Sequence, residues 1–340
     1  MAIPSATSAG APLPARPLGT TGMAISAVGL GAWAIGGTEW GAHDDEVSVR
    51  VIRRALERGV NWIDTAPIYG LGHSEALVHR ALKEIPVAER PYVFTKCGLV
   101  WDEGRRDAPP RRVGSADSLR RELEDSLRRL GVERIDLYQM HWPADDVPLE
   151  EYWHTLLELK KAGKARAVGL SNHTVEHLER AERLGHVESL QPPFSAIRRH
   201  SAAEIAWCHA HQTGVIVYSP MQAGLLTGTF TAERARSLPK EDWRTRNAQF
   251  TGDVLMRNLQ LAEAFKPVAA RHHTTVPAVA VAWVLAWSGV TGAIVGARKP
   301  AQVDDWIGAA ALRLTTADLR EIAAAIERTG AGTGPALPPN

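Results

Sequence analysis

The sequence predicts an α/β protein in which a single parallel sheet closes into a (β/α)8 barrel, the TIM-barrel architecture. Three observations point there. Short apolar runs alternate with amphipathic stretches in about eight strand–helix units, each near the length of a minimal βαβ crossover. No break in composition divides the units, so one sheet is expected rather than two. The 340 residues suit closure of those units into one large barrel.

The elements follow in order. Residues 1–16 are rich in Ala, Ser, Gly and Pro and read as a disordered tail. The barrel domain is expected over residues 17–328. It opens with Pro17–Ile25, where Gly19 and Gly22 favour a hairpin that plugs the N-terminal end. The first strand lies near Ser26–Leu30 and is followed by a helix at Asp45–Arg58. Val60–Asp64 and Ser74–Lys83 form the second unit, Tyr92–Lys96 and Ser115–Leu130 the third, with Ser115 as N-cap. Arg134–His141 and Leu149–Ala162, stopped by Gly163, make the fourth. Ala165–Leu170 with Thr174–Leu184, and Ser189–Gln191 with Ala202–Gln212, are the fifth and sixth. Val215–Ser219 is the seventh strand. The long loop after it, Met221–Gly252, exceeds an ordinary connection, a sign of function or disorder. Helices at Asp253–Arg271 and Pro277–Trp287 precede the last strand, Ala293–Val295. Pro300–Ala311 and Thr316–Arg328 are the closing helices, and residues 329–340 read as a second tail.

Composition excludes several function classes. Lys and Arg number 39 against 38 Asp and Glu, without the basic surplus of a nucleic-acid binder. No apolar run reaches the roughly 20 residues of a membrane span. Residues 1–17 lack the apolar core of a secretory signal. Two cysteines, Cys97 and Cys208, fit reduced thiols, so a cytoplasmic location is expected. His209-Ala-His211 is spaced i, i+2 on a helix, so its rings diverge and no metal site is expected. Gly29-Leu-Gly31-Ala-Trp-Ala34 has the spacing of a dinucleotide fingerprint, but no helix opens after it, so a Rossmann site is rejected.

In such barrels the chemistry sits at the C-terminal ends of the strands. The residues there are Asp64, Lys96 and His141, with Tyr69 on a short loop beyond Asp64. Gathered at one mouth, a buried Lys and Asp should pair, since either alone is costly to desolvate. A phenol beside that ammonium gives up its proton more readily and is a general acid for a carbonyl oxygen. An imidazole on the same oxygen orients it. None of these groups supplies electrons, so a nicotinamide or flavin carrier is required.

The motifs resemble those of the aldo-keto reductases. Gly59-Val-Asn-Trp-Ile-Asp64-Thr-Ala-Pro-Ile-Tyr69-Gly-Leu-Gly-His-Ser-Glu75, Phe94-Thr-Lys96 and Ile135-Asp-Leu-Tyr-Gln-Met-His141-Trp-Pro143 are similar to the family's catalytic segments. Gly169-Leu-Ser-Asn172, Gln191-Pro-Pro-Phe-Ser195, Tyr218-Ser-Pro-Met-Gln-Ala-Gly-Leu-Leu-Thr-Gly228 and Ile294-Val-Gly-Ala-Arg-Lys-Pro-Ala-Gln302-Val303 are similar to its cofactor side. The resemblance spans about Leu18 to Glu327 and is nearest to bacterial general-stress-type reductases, which are related to potassium channel β subunits.

That resemblance implies NADPH/NADP+ as cofactor and a small-molecule carbonyl as substrate. It implies Tyr69 as the acid, Lys96 and Asp64 as its tuning pair and His141 as the orienting group. Ser171, Asn172 and Gln191 would hold the carboxamide, and Tyr218 would stack on the ring. Ala32 and Trp33 would lie near cofactor and substrate, with Ser219, Pro220, Met221, Gln222 and Gly224 at the pyrophosphate. Gly296, Ala297, Arg298, Gln302 and Asp305 would border the adenosine half, with Arg298 forked onto a 2′-phosphate. Trp33, Trp101 and Trp142, beside Tyr69 and His141, would wall the substrate pocket.

Two positions depart from the family pattern. Asp305-Trp306 stands where Glu-Asn contacts adenine. Gly228-Thr229 stands where relatives often carry Lys, so a pyrophosphate contact is either missing or supplied by Arg244 or Arg246. The alternative reading is a cofactor-binding regulatory module like the channel β subunits. Those replace the matched histidine, whereas His141 is retained here.

Overall fold

The computed structural model describes residues 13–36, 40 and 44–338. The expected N-terminal tail lies outside the described residues as far as residue 12. Its last residues join a hairpin of β1 (Ala15–Pro17) and β2 (Ala24–Ser26), followed by β3 (Val28–Gly31), α1 (Trp33–Gly36), α2 (Asp45–Glu57), β4 (Trp62–Asp64) and α3 (His73–Leu82). Next come β5 (Tyr92–Cys97), a small flap of β6 (Leu99–Val100) and β7 (Arg111–Arg112), and α4 (Ala116–Leu130). The middle of the chain holds β8 (Ile135–Met140), α5 (Leu149–Lys161), β9 (Ala165–Ser171), α6 (Val175–Glu182), β10 (Ser189–Gln191), α7 (Ala202–Ala210) and β11 (Gly214–Tyr218). The rest comprises α8 (Ala232–Arg236), α9 (Gly252–Ala264), α10 (Lys266–Arg271), α11 (Val276–Leu285), β12 (Val290–Gly296), α12 (Pro300–Ile307) and α13 (Thr316–Thr329).

Eight parallel strands close in the order β3-β4-β5-β8-β9-β10-β11-β12, and β12 pairs back onto β3. This is the expected (β/α)8 barrel. Side chains alternate across each strand. In β8, Tyr138 and Met140 join the large core under the helices, while Leu137 faces the barrel axis. Trp62, Phe94, Leu137, Ala167, Ile216 and Ile294 fill that axis. Leu18, Met23 and Ile25 of the hairpin press onto the same cluster and seal the N-terminal end, as the sequence leads one to expect. Trp62 explains one of the fingerprint-like glycines. A Cβ on Gly29 would lie 2.2 Å from the indole, so Gly29 answers to packing rather than to a phosphate.

Three expectations are revised. The single helix expected over Asp253–Arg271 divides into α9 and α10 at Phe265, since Pro267 lacks the N–H that would continue the ladder. Ser115 occupies the N-cap of α4 without a side-chain bond. Instead the Asp146 carboxylate accepts the Gly114 and Ser115 N–H groups at 2.7 and 3.3 Å. The described part of the C-terminal segment is docked. Ala331 is buried, and the Arg199 guanidinium donates to the carbonyls of Ala331 and Gly334, both at 3.1 Å.

Candidate active site

Strand parity sends Asp64 of β4 and Lys96 of β5 toward the axis, one layer above the apolar plug. Both are buried. Lys96 Nζ donates to Asp64 Oδ1 at 2.6 Å, to the Thr65 carbonyl at 2.9 Å and to the Tyr69 hydroxyl at 3.4 Å. Its three N–H bonds are thereby all engaged. Burial pushes the Asp64 carboxyl up and the Lys96 ammonium down, while their mutual attraction opposes both shifts. Gln191 Nε2 crosses from β10 and donates to Asp64 Oδ2 at 2.8 Å. The His141 ring stands edge-on to Tyr69, with centroids 5.9 Å apart. Burial, and then the Lys96 charge, hold its pKa well below the ordinary histidine value, so it is a neutral donor or acceptor near pH 7.

A second polar knot lies where β9 ends. Asn172 adopts φ +63°, a left-handed turn that asparagine tolerates better than most residues. Its Nδ2 donates to the His141 carbonyl at 2.9 Å and to Ser171 Oγ at 3.1 Å. Its Oδ1 accepts the Tyr218 hydroxyl at 2.8 Å. Ser171 Oγ donates to the Gln191 carbonyl at 2.9 Å. Burial pushes the Tyr218 phenol up to about 12, so it remains a donor. Ser219, immediately after β11, also has a positive φ, +58°.

These groups line a cavity of about 770 Å³. It runs from Tyr69, His141, Trp33 and Trp142 past Asn172 and Tyr218 to Gly296, Arg298, Gln302 and Asp305. Charged side chains gather at the far end and along the loop after β11, where Arg234 and Arg244 join the lining. Arg244 is buried and forked onto Asp242, with Nε and Nη2 at 3.0 and 2.6 Å from its oxygens. The guanidinium also lies over the Trp40 ring, 5.1 Å from its centroid. Trp40 packs on Trp33 at 5.0 Å and on Trp243 at 5.6 Å, so the long loop closes against the wall beside Tyr69.

Most of the expected residues meet in this one cavity, but four lie elsewhere. Lys96 lies beneath the lining, hydrogen-bonded to Tyr69 and Asp64. Ala32 is buried, its N–H on the Asp64 carbonyl and its own carbonyl facing Ser74. Gln222 turns away to Ser195 and Gln249. Trp101 leaves with the flap, donates to Glu103 at 2.8 Å and borders a separate small cavity of about 130 Å³. Of the two alternatives for the missing lysine, Arg244 reaches the lining and Arg246 does not. Trp306 also lines the far end, with an indole Nε1 that is buried and without a partner. The contributions of Trp40, Leu99, Pro110 and Arg234 were not readable. Trp40 carried only the weak signal of an aromatic residue in a Gly-rich loop, and the others carried none.

Comparison with known proteins identifies the family. The model of the Aldo/keto reductase family matches residues 27–327. The chain is 37% identical over 329 residues to an Escherichia coli (strain K12) protein named NADH-specific methylglyoxal reductase, covering 92% of this chain and 99% of that one. It is 34% identical to the Bacillus subtilis (strain 168) aldo-keto reductase YhdN, covering 91% and 92% respectively. The solved structure of the glycerol dehydrogenase AKR11B4 from Gluconobacter oxydans superposes with a TM-score of 0.86 at 36% identity, over 94% of this chain and 97% of that one. With the acid, amine, phenol and imidazole at one rim and a family match over nearly the whole barrel, the chain belongs to the aldo/keto reductase family of oxidoreductases.

Proposed function

We propose that this protein reduces an aldehyde or ketone to the alcohol with NADPH. The observation that carries the reading is the buried chain Gln191–Asp64–Lys96–Tyr69, which ends in a hydroxyl on the floor of the cavity that His141 also lines. When bound, the nicotinamide supplies the hydride that no side chain here can provide. Tyr69 delivers the proton to the carbonyl oxygen. The Lys96 ammonium stabilises the negative charge left on the phenol oxygen, and Asp64 keeps that ammonium in place. Neutral His141 orients the same carbonyl oxygen. Its presence favours turnover over a module that only holds cofactor. Trp33 and Trp142 flank the non-reacting part of the substrate.

The cavity fits an extended dinucleotide. Ser171, Asn172 and Gln191 would hold the carboxamide, and the Tyr218 ring would lie against the nicotinamide. Ser219, Pro220, Met221 and Gly224, with Arg244 from the long loop, would surround the pyrophosphate. Gly296, Ala297, Gln302 and Asp305 would border the adenosine, with Trp306 part of the wall there. Arg298 is the argument for NADPH, since a guanidinium forks onto a 2′-phosphate. NADH is the second reading. The E. coli relative carries that specificity in its name, and Asp305 is an acid of the kind that accepts a ribose hydroxyl. Buried free thiols at Cys97 and Cys208 fit a cytoplasmic enzyme. Titration with NADPH and NADH, followed by absorbance loss with a panel of aldehydes, tests both levels. A protein that binds dinucleotide without consuming it in the presence of any carbonyl would overturn the proposal.

A further inference from the structure

His173 is a buried histidine that the chemistry above leaves unused. Its Nδ1 lies 2.8 Å from the Ser171 carbonyl, and its Nε2 lies 2.8 Å from the Tyr152 hydroxyl. The carbonyl can only accept, so Nδ1 carries the proton and Nε2 accepts from Tyr152. Burial lowers the His173 pKa to about 3, which keeps this neutral tautomer across the working range of pH. Tyr152 sits on α5 and is itself buried. The result is a strut from the outer helix layer to the main chain of Ser171.

The far end of the strut is the left-handed corner at Asn172. That residue has φ +63°, and its side chain touches the His141 carbonyl and the Tyr218 hydroxyl. The Ser171 hydroxyl holds the Gln191 carbonyl. One tripeptide therefore ties together the ends of β8, β9, β10 and β11, and its sparsely populated backbone conformation must be held from outside. The strut is the tie from the helix side.

We propose that Tyr152 and His173 are a positioning pair that sets the Ser171–Asn172 corner for the nicotinamide end of the cofactor. The proposal rests on the reading that Ser171 and Asn172 meet the carboxamide. Neither Tyr152 nor His173 lines the cavity, so the pair acts through the corner and touches no ligand. It therefore governs the nicotinamide half of the dinucleotide and leaves the adenosine half alone.

The experiment compares Tyr152→Phe, His173→Phe and His173→Asn with the wild type by calorimetric titration. The ligands are NADPH and ADP-ribose 2′-phosphate, which lacks the nicotinamide; NADH and ADP-ribose replace them if the wild type prefers the unphosphorylated pair. Loss of one buried hydrogen bond should weaken the dinucleotide about tenfold in both Phe variants and leave the fragment within about twofold. His173→Asn keeps a donor near the Nδ1 position and should recover part of that loss. Equal weakening of dinucleotide and fragment, or no weakening of either, would overturn the pair's role. A wild type that binds the fragment as tightly as the dinucleotide would overturn the nicotinamide reading instead, and the pair with it.

Discussion

Gln191 gives its amide N–H to the buried Asp64 carboxylate at 2.8 Å, a bond that spans the barrel axis from β10 to β4. The amide therefore has a task besides any contact with cofactor. It satisfies the carboxylate oxygen that Lys96 leaves open, and so favours the charged form against the upward push of burial. Gln191→Leu removes a hydrogen bond to a buried charge, an interaction in the range of about 1.5–3 kcal/mol. Asp64 then rises further, because the charged form has lost a donor. The expected result is a fall in kcat/KM of about tenfold or more, with the acid limb of the pH profile moved to higher pH. A profile that falls in height without moving would assign Gln191 to cofactor binding alone.

Tyr69→Phe removes the proposed proton donor and little else. Carbonyl reduction should drop by about three orders of magnitude, the middle of the range for general acids. Dinucleotide affinity should stay within about twofold of the wild type. Stopped-flow reduction and equilibrium titration together check both halves, and retained turnover would remove Tyr69 from the mechanism.

Glu122 offers a pH test of stability outside the catalytic groups. It accepts the Gly98 N–H at 2.8 Å and the Ser118 hydroxyl at 3.0 Å, at the base of the β6–β7 flap. Burial raises its pKa from 4.5 to about 7. The folded state thus holds a proton that the unfolded state releases earlier, so stability falls as pH rises from about 4.5 to about 7. Glu122→Gln keeps an acceptor for Gly98 and has no proton to lose. Urea denaturation at pH 5 and pH 8 should show the variant gaining on the wild type at the higher pH, by at most about 3 kcal/mol.

Asp318 anchors the last helix. Fully buried, it accepts from Thr315 N and Oγ at 2.8 and 2.7 Å and from His272 Nε2 at 2.8 Å, and it pairs with Arg271. Asp318→Asn takes the charge away from half-buried His272 and from exposed Arg271, which keeps Glu321 at 2.7 Å. The loss is that of charge-assisted hydrogen bonds to a buried carboxylate, so a fall of about 1.5 kcal/mol in unfolding free energy is expected, with kcat unchanged at temperatures well below the transition. A loss below about 0.5 kcal/mol would mean that the cluster behaves like an exposed pair.

Period-two alternation and the rule of strand C-termini were enough to bring Asp64, Lys96 and His141 to one rim, because each lies in or directly after a strand whose parity is set by apolar neighbours. The Pro17–Ile25 hairpin was readable for the same reason, through its glycines and the apolar residues between them. Contacts made from the longer loops were not. Trp101 leaves the cavity because β6 and β7 pair into a flap, and two two-residue strands carry no periodic signal. Arg244 and Trp40 meet across some 200 residues of chain, and nothing local to either specifies that contact. His173 and Tyr152 are 21 residues apart on different elements, and only the closed barrel brings their polar atoms together.

The hairpin that stoppers the barrel has a kinetic corollary. Beneath Lys96 lies an apolar layer of Trp62, Phe94, Leu137, Ala167, Ile216 and Ile294, itself covered by Leu18, Met23 and Ile25. Hydronium and buffer have no route from below. In the proposed reaction Tyr69 is therefore reprotonated through the mouth of the cavity, the opening that also serves substrate and alcohol.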